Sequence, residues 1–434
     1  MSVVFGLARG AICDAMRPLR SVPVEPKARC VSEIAAKKPA LLILILLASV
    51  NVVTLSMFVP SLPDMAQDFG VSIGTMSWSF SGYLLVIAGL QLIVGPLSDY
   101  LGRRPVLIGC LIIYIPASLG CALAPTVEIF FICRVCQGVI IGAVGLSHAM
   151  IRDTEPNAEQ SAKRLATVVM VMAIMPMLAP VLGGITADFL GWRSNFLIMA
   201  VFGSLILMLV LLTLKETNLS RMATFGQQVR AYPTLIGSVR FWGFALTIVC
   251  NVGVFYLFVV GMPILGEATF DISRTSIGIL LGYMPVGYMA GNSIVKLAAH
   301  RVGIPALLLT GRICAIVSVL MVLGLLALDV SNPFILFAPL IINGIANGLV
   351  MPTSTSGLVS INPRLAGTAS GLSGAIMQLI GAGLTAFGSY TLNAVPSALS
   401  MLLIMLGLSV VGLVPALMLH FSKPAPVEAT SAAN

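Results

Sequence analysis

Arg134 stands in Phe130-Phe131-Ile132-Cys133-Arg134-Val135-Cys136-Gln137-Gly138, a stretch otherwise almost free of charge. A full charge several residues inside an apolar helix costs on the order of 3 kcal/mol or more, so such a residue is read first as functional. The other reading is a structural arginine satisfied by carbonyls and waters. Asp99, in Gly95-Pro96-Leu97-Ser98-Asp99-Tyr100-Leu101-Gly102-Arg103-Arg104-Pro105, is a carboxylate at the edge of an apolar run. Left unpaired it is costly there, so a cationic partner or a helix N-terminus is expected beside it. His148 lies one helical turn before Arg152 and titrates in the physiological range, with a purely structural histidine as its alternative. Bond-making chemistry is not indicated, because catalytic groups must converge and the three histidines (148, 300 and 420) are scattered. Cys133 and Cys136 form a C-x-x-C with no histidine or second cysteine pair, which reads as packing between helices. No metal site, no cofactor, no enzyme activity and no Walker A segment for ATP are expected.

The elements that must carry these residues follow from composition. Of 434 residues, 58% are hydrophobic and 9% charged, with a mean hydropathy of +1.04. A soluble domain has about a quarter of its residues charged, so a soluble enzyme, a nucleic-acid-binding domain and a disordered chain are excluded. Apolar runs of roughly 20 residues match the hydrocarbon core as helices, and their lack of alternation argues against a barrel. Twelve spans are expected, at 40–63, 74–98, 105–125, 128–150, 164–188, 194–214, 240–265, 276–299, 304–328, 334–358, 367–390 and 395–421. The longest internal joint divides them into two halves of six. The expected organisation is a basic tail 1–39, a six-helix bundle 40–214, a linker 215–239, a second bundle 240–421 and a tail 422–434. The tail 1–39 has no signal-peptide pattern, and a start at Met16 is an alternative for it. With both termini cytoplasmic, 20 of the 24 Lys and Arg residues fall inside, while acidic residues split nine to seven. The net charge of +8 is therefore a topology signal rather than a nucleic-acid footprint.

The segment from Gly95 to Leu107 resembles motif A of the major facilitator superfamily, with Tyr100 where that pattern usually has Arg; the alternative is an ordinary cytoplasmic turn. Its glycines, Gly95 and Gly102, permit a tight turn and close helix approach. Arg134, Gln137 and Gly138 resemble motif B, in which the arginine faces the central cavity; the resemblance implies that Arg134 takes part in proton coupling or holds the local field there. Met175-Pro176-Met177-Leu178-Ala179-Pro180-Val181-Leu182-Gly183-Gly184 is similar to the antiporter motif C, with Ala179 replacing a glycine. Pro180 kinks the helix and Gly183 and Gly184 let a neighbour approach, which suits a water-excluding contact between halves; a merely packed, kinked helix is the alternative. Together with Val59-Pro60-Ser61-Leu62-Pro63 and Met150-Ile151-Arg152-Asp153, these segments look like the Bcr/CflA branch of drug:proton antiporters. That resemblance implies two six-helix bundles rocking about a central site, in a bacterial inner membrane, with protons as the exchanged ion and a monomer as the working unit.

One departure concerns coupling. Relatives in this branch often carry an acid in span 1, where this chain reads Thr54-Leu55-Ser56-Met57-Phe58, and no Asp or Glu falls near the middle of any span. The remaining proton-coupling or conformational candidates are Asp99, His148 and a near-surface carboxylate working with Arg134. Asn51, Ser56, Tyr83, Gln91, Asn251, Tyr256, Asn343, Asn347 and Gln378 are the candidate cavity residues. Lack of a buried acid favours neutral or weakly anionic amphipathic substrates over cations. The expectation is an exporter of small amphipathic compounds; an uptake symporter or uniporter on the same fold is the alternative.

Overall fold

The computed structural model describes residues 38–155, 157–218, 232–361 and 366–421. The expected tails and most of the expected linker lie outside the described residues. Among the described residues the chain is all α, and 11 helices are long and apolar enough to cross a membrane. They are span 1 (Leu41–Phe69), span 2 (Ile73–Leu101), span 3 (Arg103–Leu123), span 4 (Val127–Thr154), span 5 (Glu159–Leu190) and span 6 (Arg193–Thr213) in the first half. The second half holds span 7 (Val239–Phe270), span 9 (Ile304–Ala327), span 10 (Pro333–Ile361), span 11 (Ala369–Ala394) and span 12 (Ala398–Phe421).

Span 8 is a helix too, Arg274–Leu281 continued by Tyr283–Val302, but its glycines, tyrosines, Asn292 and Lys296 dilute its hydropathy. Its neighbour explains that composition. A Cβ on Gly287 would lie 1.9 Å from the Ile341 carbonyl oxygen, and one on Gly344 would lie 2.0 Å from that of Met284. Gly291 and Gly348 repeat the contact one turn on, so spans 8 and 10 pack backbone to backbone.

Starts of helices carry their own caps: Ser72, Ser238, Ser273 and Asn332 each accept a backbone N–H of the first turn. Span 1 runs past the expected boundary at 63. The helix Leu41–Ser56 passes through a tight turn at Val59–Ser61 and resumes as Leu62–Phe69, with Pro63 in the first turn where its missing N–H costs nothing. Asp64 and Asp68 therefore ride on a helix rather than in a loop.

The twelve helices form two six-helix bundles that meet along spans 2 and 11 and along spans 5 and 8. The face bearing Arg103, Arg104, Arg152, Arg164, Arg240 and Arg301 is called here the basic face, and the one bearing Arg193 and Arg274 the far face. The bundles are tied toward the far face: Arg274 donates to Asp64, Thr275 to Asp188, the Gly74 N–H to Asn393, and Ser81 and Thr385 share a hydrogen bond of 2.7 Å. The outer part of span 5, Met175–Leu190, packs on Arg274–Leu281, whereas its inner part, Ala158–Met172, packs on spans 1 and 4 of its own bundle and leaves Val169 and Met170 exposed. The molecule is thus shut at the far face and parted toward the basic one.

Candidate functional site

Span 4 places Arg134 in the first bundle against spans 1 and 2, with 1% of it exposed. Its Nη2 donates to the Thr54 carbonyl at 2.9 Å, its Nε to the Ser79 carbonyl at 3.2 Å and its Nη1 to Gln137 Oε1 at 2.7 Å. Gln137 passes the chain on, donating to Ser118 Oγ at 2.7 Å. The guanidinium faces lie 4.3 Å from the Phe58 ring centre and 4.4 Å from that of Tyr83, inside cation–π range. Tyr83 in turn donates to Asn51, and Thr54 shares a hydrogen bond with Tyr114. Every partner is neutral. The expected near-surface carboxylate is not in contact with Arg134, because oriented carbonyls and rings already satisfy its flat, multidentate donor set. Gly138 lies at a tighter turn of span 4, where a Cβ would meet Val86 at 2.7 Å.

The loop between spans 2 and 3 builds a second cluster on the basic face. Arg103 pairs with Asp99 at 2.5 Å and with Asp153, at the end of span 4, at 3.1 Å, and it also donates to Ser98. Asp99 has its expected cation, one turn along. Glu216 was not singled out from sequence, yet its carboxylate accepts the backbone N–H groups of Arg103, Arg104, Thr217 and Asn218. An anion at the start of span 3 satisfies orphan donors and the helix dipole together. Gly102 has φ +106°, and a Cβ there would sit 2.6 Å from Glu216 Oε2, so both its conformation and its space are used. Gly95 behaves differently: nothing lies within 4 Å of its Cβ position, so the expected close helix approach does not occur there. Arg104 reaches the Leu211 carbonyl of span 6. The signal for Glu216 was available as a lone acid just after span 6.

His148 lies deeper on span 4, partly buried, with its Nε2 enclosed and unpartnered. No hydrogen bond among the described residues joins it to Asp99 or Arg134. Cys133 packs against Gly120, and Cys136 is exposed on the outer surface of span 4.

The Ala179 to Gly184 segment is the inter-bundle contact itself. A Cβ on Gly183 would fall 1.7 Å from the carbonyl oxygen of Met57 in span 1, within the first bundle, whereas one on Gly184 would fall 2.4 Å from that of Arg274 in the second. Gly278 of span 8 answers from the other bundle, its Cβ position 2.5 Å from the Pro180 carbonyl. Ala179 is buried at 2% exposure.

The nine expected cavity residues fall into several local groups. Asn51 and Tyr83 belong to the Arg134 cluster, and Ser56 donates back to Val52 of its own helix. Tyr256 donates to Gln378 at 2.9 Å, Asn343 to the Ala315 carbonyl, and Asn251 accepts from Arg312 at 3.2 Å. Gln91 and Asn347 remain with buried amide oxygens lacking a partner. Arg312 is the main residue missed. It is wholly buried in the second bundle, where it donates to the Leu408 and Ser409 carbonyls, again with no carboxylate in contact. Its only sequence signal is a lone charge inside span 9. On the far face, a cavity of about 500 Å³ is lined by Asp64, Asp68, Asp188, Arg193 and Arg274 among others.

Such an arrangement has the chemistry of a carrier: two uncompensated buried cations, a helix contact made of bare backbone, and charge clusters confined to the two faces. The sequence profile of the Major Facilitator Superfamily matches residues 44–386. A chloramphenicol resistance protein of Pseudomonas aeruginosa is 27% identical over 77% of this chain and 80% of its own length. Multidrug resistance protein D of Escherichia coli strain K12 is 27% identical, covering 86% of this chain and 93% of its own. Among solved structures, the human organic anion transporter MFSD10 superposes with a TM-score of 0.65 at 17% identity, over 87% of this chain and 98% of that one, which speaks for the fold. The chain is a multi-pass membrane transporter belonging to the major facilitator superfamily.

Proposed function

We propose that this transporter exports small amphipathic compounds from a bacterial cell across the inner membrane, by alternating access and in exchange for protons. The observation that carries the reading is the far-face contact in which Gly184 of span 5 and Gly278 of span 8 put bare backbone against backbone between the bundles. A contact of that kind excludes water while it is closed and parts as a unit, which keeps ions from leaking during exchange. Similarity to a chloramphenicol resistance protein and to multidrug resistance protein D supports export as the direction.

The excess of Lys and Arg puts the basic face in the cytoplasm. In this reading the bundles 40–214 and 240–421 rock about the centre, the segment 215–239 links them on the cytoplasmic side, and a single chain is the working unit. All described carboxylates lie near the faces, while Arg134 and Arg312 leave the interior positive. Such a field disfavours lipophilic cations and suits neutral or weakly anionic compounds. Asp99, His148 and Arg134 are the coupling candidates, and Gln91 and Asn347, with their free amide oxygens, are the cavity residues best placed to accept a hydrogen bond from substrate.

A second reading, a uniporter or symporter, is favoured by one observation, the absence of any described carboxylate at mid-membrane. Everted inner-membrane vesicles separate the two. Substrate-dependent loss of the proton gradient, abolished in at least one of Arg134→Ala, Asp99→Asn or His148→Ala, is expected for exchange. Uptake of compound with the gradient intact, once electroneutral exchange is excluded, would sink it.

A further inference from the structure

Three acids from three elements converge on one cation at the far face. Arg274, at the start of span 8, makes a bidentate ion pair with Asp64 of span 1. Asp188, at the end of span 5, accepts both the backbone N–H and the hydroxyl of Thr275, at 3.0 Å and 2.6 Å. The field of Glu267, in the last turn of span 7, also reaches Arg274. Asp68, one turn beyond Asp64, is engaged elsewhere, by Trp192 and Arg193 of its own bundle. Asp271 stands three residues before Arg274, in the joint between spans 7 and 8. The patch therefore holds more acidic side chains than basic ones, and its cross-bundle ties place acids of the first bundle, Asp64 and Asp188, on the second.

We propose that Asp64 and Asp188 are gating residues: together with Arg274 and the start of span 8 they form a latch that holds the far face shut, and protonation of Asp64 releases it. Opening the far face must draw span 8 away from spans 1 and 5, so Asp64 and Arg274 have to part. A protonated Asp64 no longer supplies the two charge-assisted acceptors that the guanidinium fork requires. Protons bind the parted state better than the latched one, and linkage turns that difference into a population shift toward opening as the pH falls. The latch rests on the export reading only for the statement that the far face looks out of the cell.

The test is a distance measurement on the full chain in lipid nanodiscs, where both faces meet one pH and neither substrate nor gradient is needed. Spin labels carried by a non-canonical amino acid go at Leu123 and Leu328, exposed residues at the far-face ends of spans 3 and 9. The far-face-open population of the unmodified latch is expected to rise at least about threefold between pH of about 7.5 and about 3.5, a range that passes through the ordinary aspartate value of about 3.9. Asp64→Asn should show that raised population already at the higher pH and respond little to acid. The exchange Asp64→Arg with Arg274→Asp should restore closure, which a merely misfolded single variant could not explain. Asp99→Asn should keep the full acid response. An Asp64→Asn protein that stays closed with an unchanged acid response, or a response lost only in Asp99→Asn, overturns the latch. Failure of proton exchange in vesicles would remove the antiport reading and leave these distances untouched.

Discussion

At Arg134 the charge is held by geometry rather than by a counter-ion. Three acceptors from spans 1, 2 and 4 occupy the guanidinium edge, and two aromatic rings cover its faces. Removing the side chain leaves Gln137 and two carbonyls facing a void, each orphan costing about 1–3 kcal/mol. Arg134→Ala is therefore expected to lower the melting temperature of the detergent-purified protein by many degrees. Arg134→Lys keeps a charge but not the flat fork, and should fall between the two. An alanine variant as stable as the parent would contradict this account. Glycine positions allow a sharper comparison within one motif. Gly102→Ala meets both a strained φ and the Glu216 carboxylate, whereas Gly95→Ala meets open space inside a helix. The first should lose stability and expression and the second should match or exceed the parent; equal behaviour of the two would rule out the Glu216 cap as the reason for Gly102.

Elements show what was readable beforehand and why. Helices were legible because lipid forces each span to be long, apolar and internally hydrogen-bonded, so eleven of the expected twelve announce themselves by composition. Span 8 is weaker as a sequence signal because protein, not lipid, surrounds its glycine-bearing side. Single conspicuous residues such as Arg134 and Asp99 could be found, but their partners could not: Thr54 and Ser79 act through main-chain carbonyls, which no residue type marks. Gly278 escaped notice for a related reason, since a glycine in a helix signals contact only once its neighbour is known. Its contact with Pro180 yields a prediction at this scale. Gly278→Val places branched carbon where the Pro180 carbonyl now lies, and should hold the far face ajar. Gly89→Val, at a position with nothing within 4 Å, should not. Modification of Thr385→Cys by a water-soluble maleimide reads the difference, and equal protection in both backgrounds would refute the seal. On the basic face, Lys38 and Arg164 donate to Glu155, and these hydrogen bonds hold its carboxyl below the usual range. A lowered value means the tie is intact above the free glutamate value of about 4.3 and fails as the pH falls through the bound one. Amide exchange around residues 157–164 should thus quicken in acid relative to neutral pH after correction for intrinsic rates. In Glu155→Gln it should be quick already at neutral pH, and an acid response persisting there would assign it to another group.

For the whole molecule, one asymmetry governs everything above: the bundles touch near the far face and part toward the basic one. Alternating access requires the reverse arrangement at another stage, built from the same helices. The far-face contact combines two kinds of bond, bare backbone packing at Gly184 and Gly278 and charged ties around Arg274, and these respond to different influences. Backbone packing is indifferent to pH and salt, while carboxylate–guanidinium pairs weaken with added salt and with acid. Thiol accessibility follows the two faces separately. In a background lacking Cys13, Cys30 and Cys136, a cysteine replacing Thr355, exposed on the basic-face part of span 10, should react readily with a water-soluble maleimide. One replacing Thr385, fully buried beside Ser81 in the inter-bundle contact, should react at least about tenfold more slowly, a difference of about 1.4 kcal/mol in access. Adding a transported compound must move the two rates in opposite directions, because one rocking motion exposes one position as it covers the other. Rates that rise together would mean general loosening of the bundles, and the alternating mechanism would have to be abandoned for this chain.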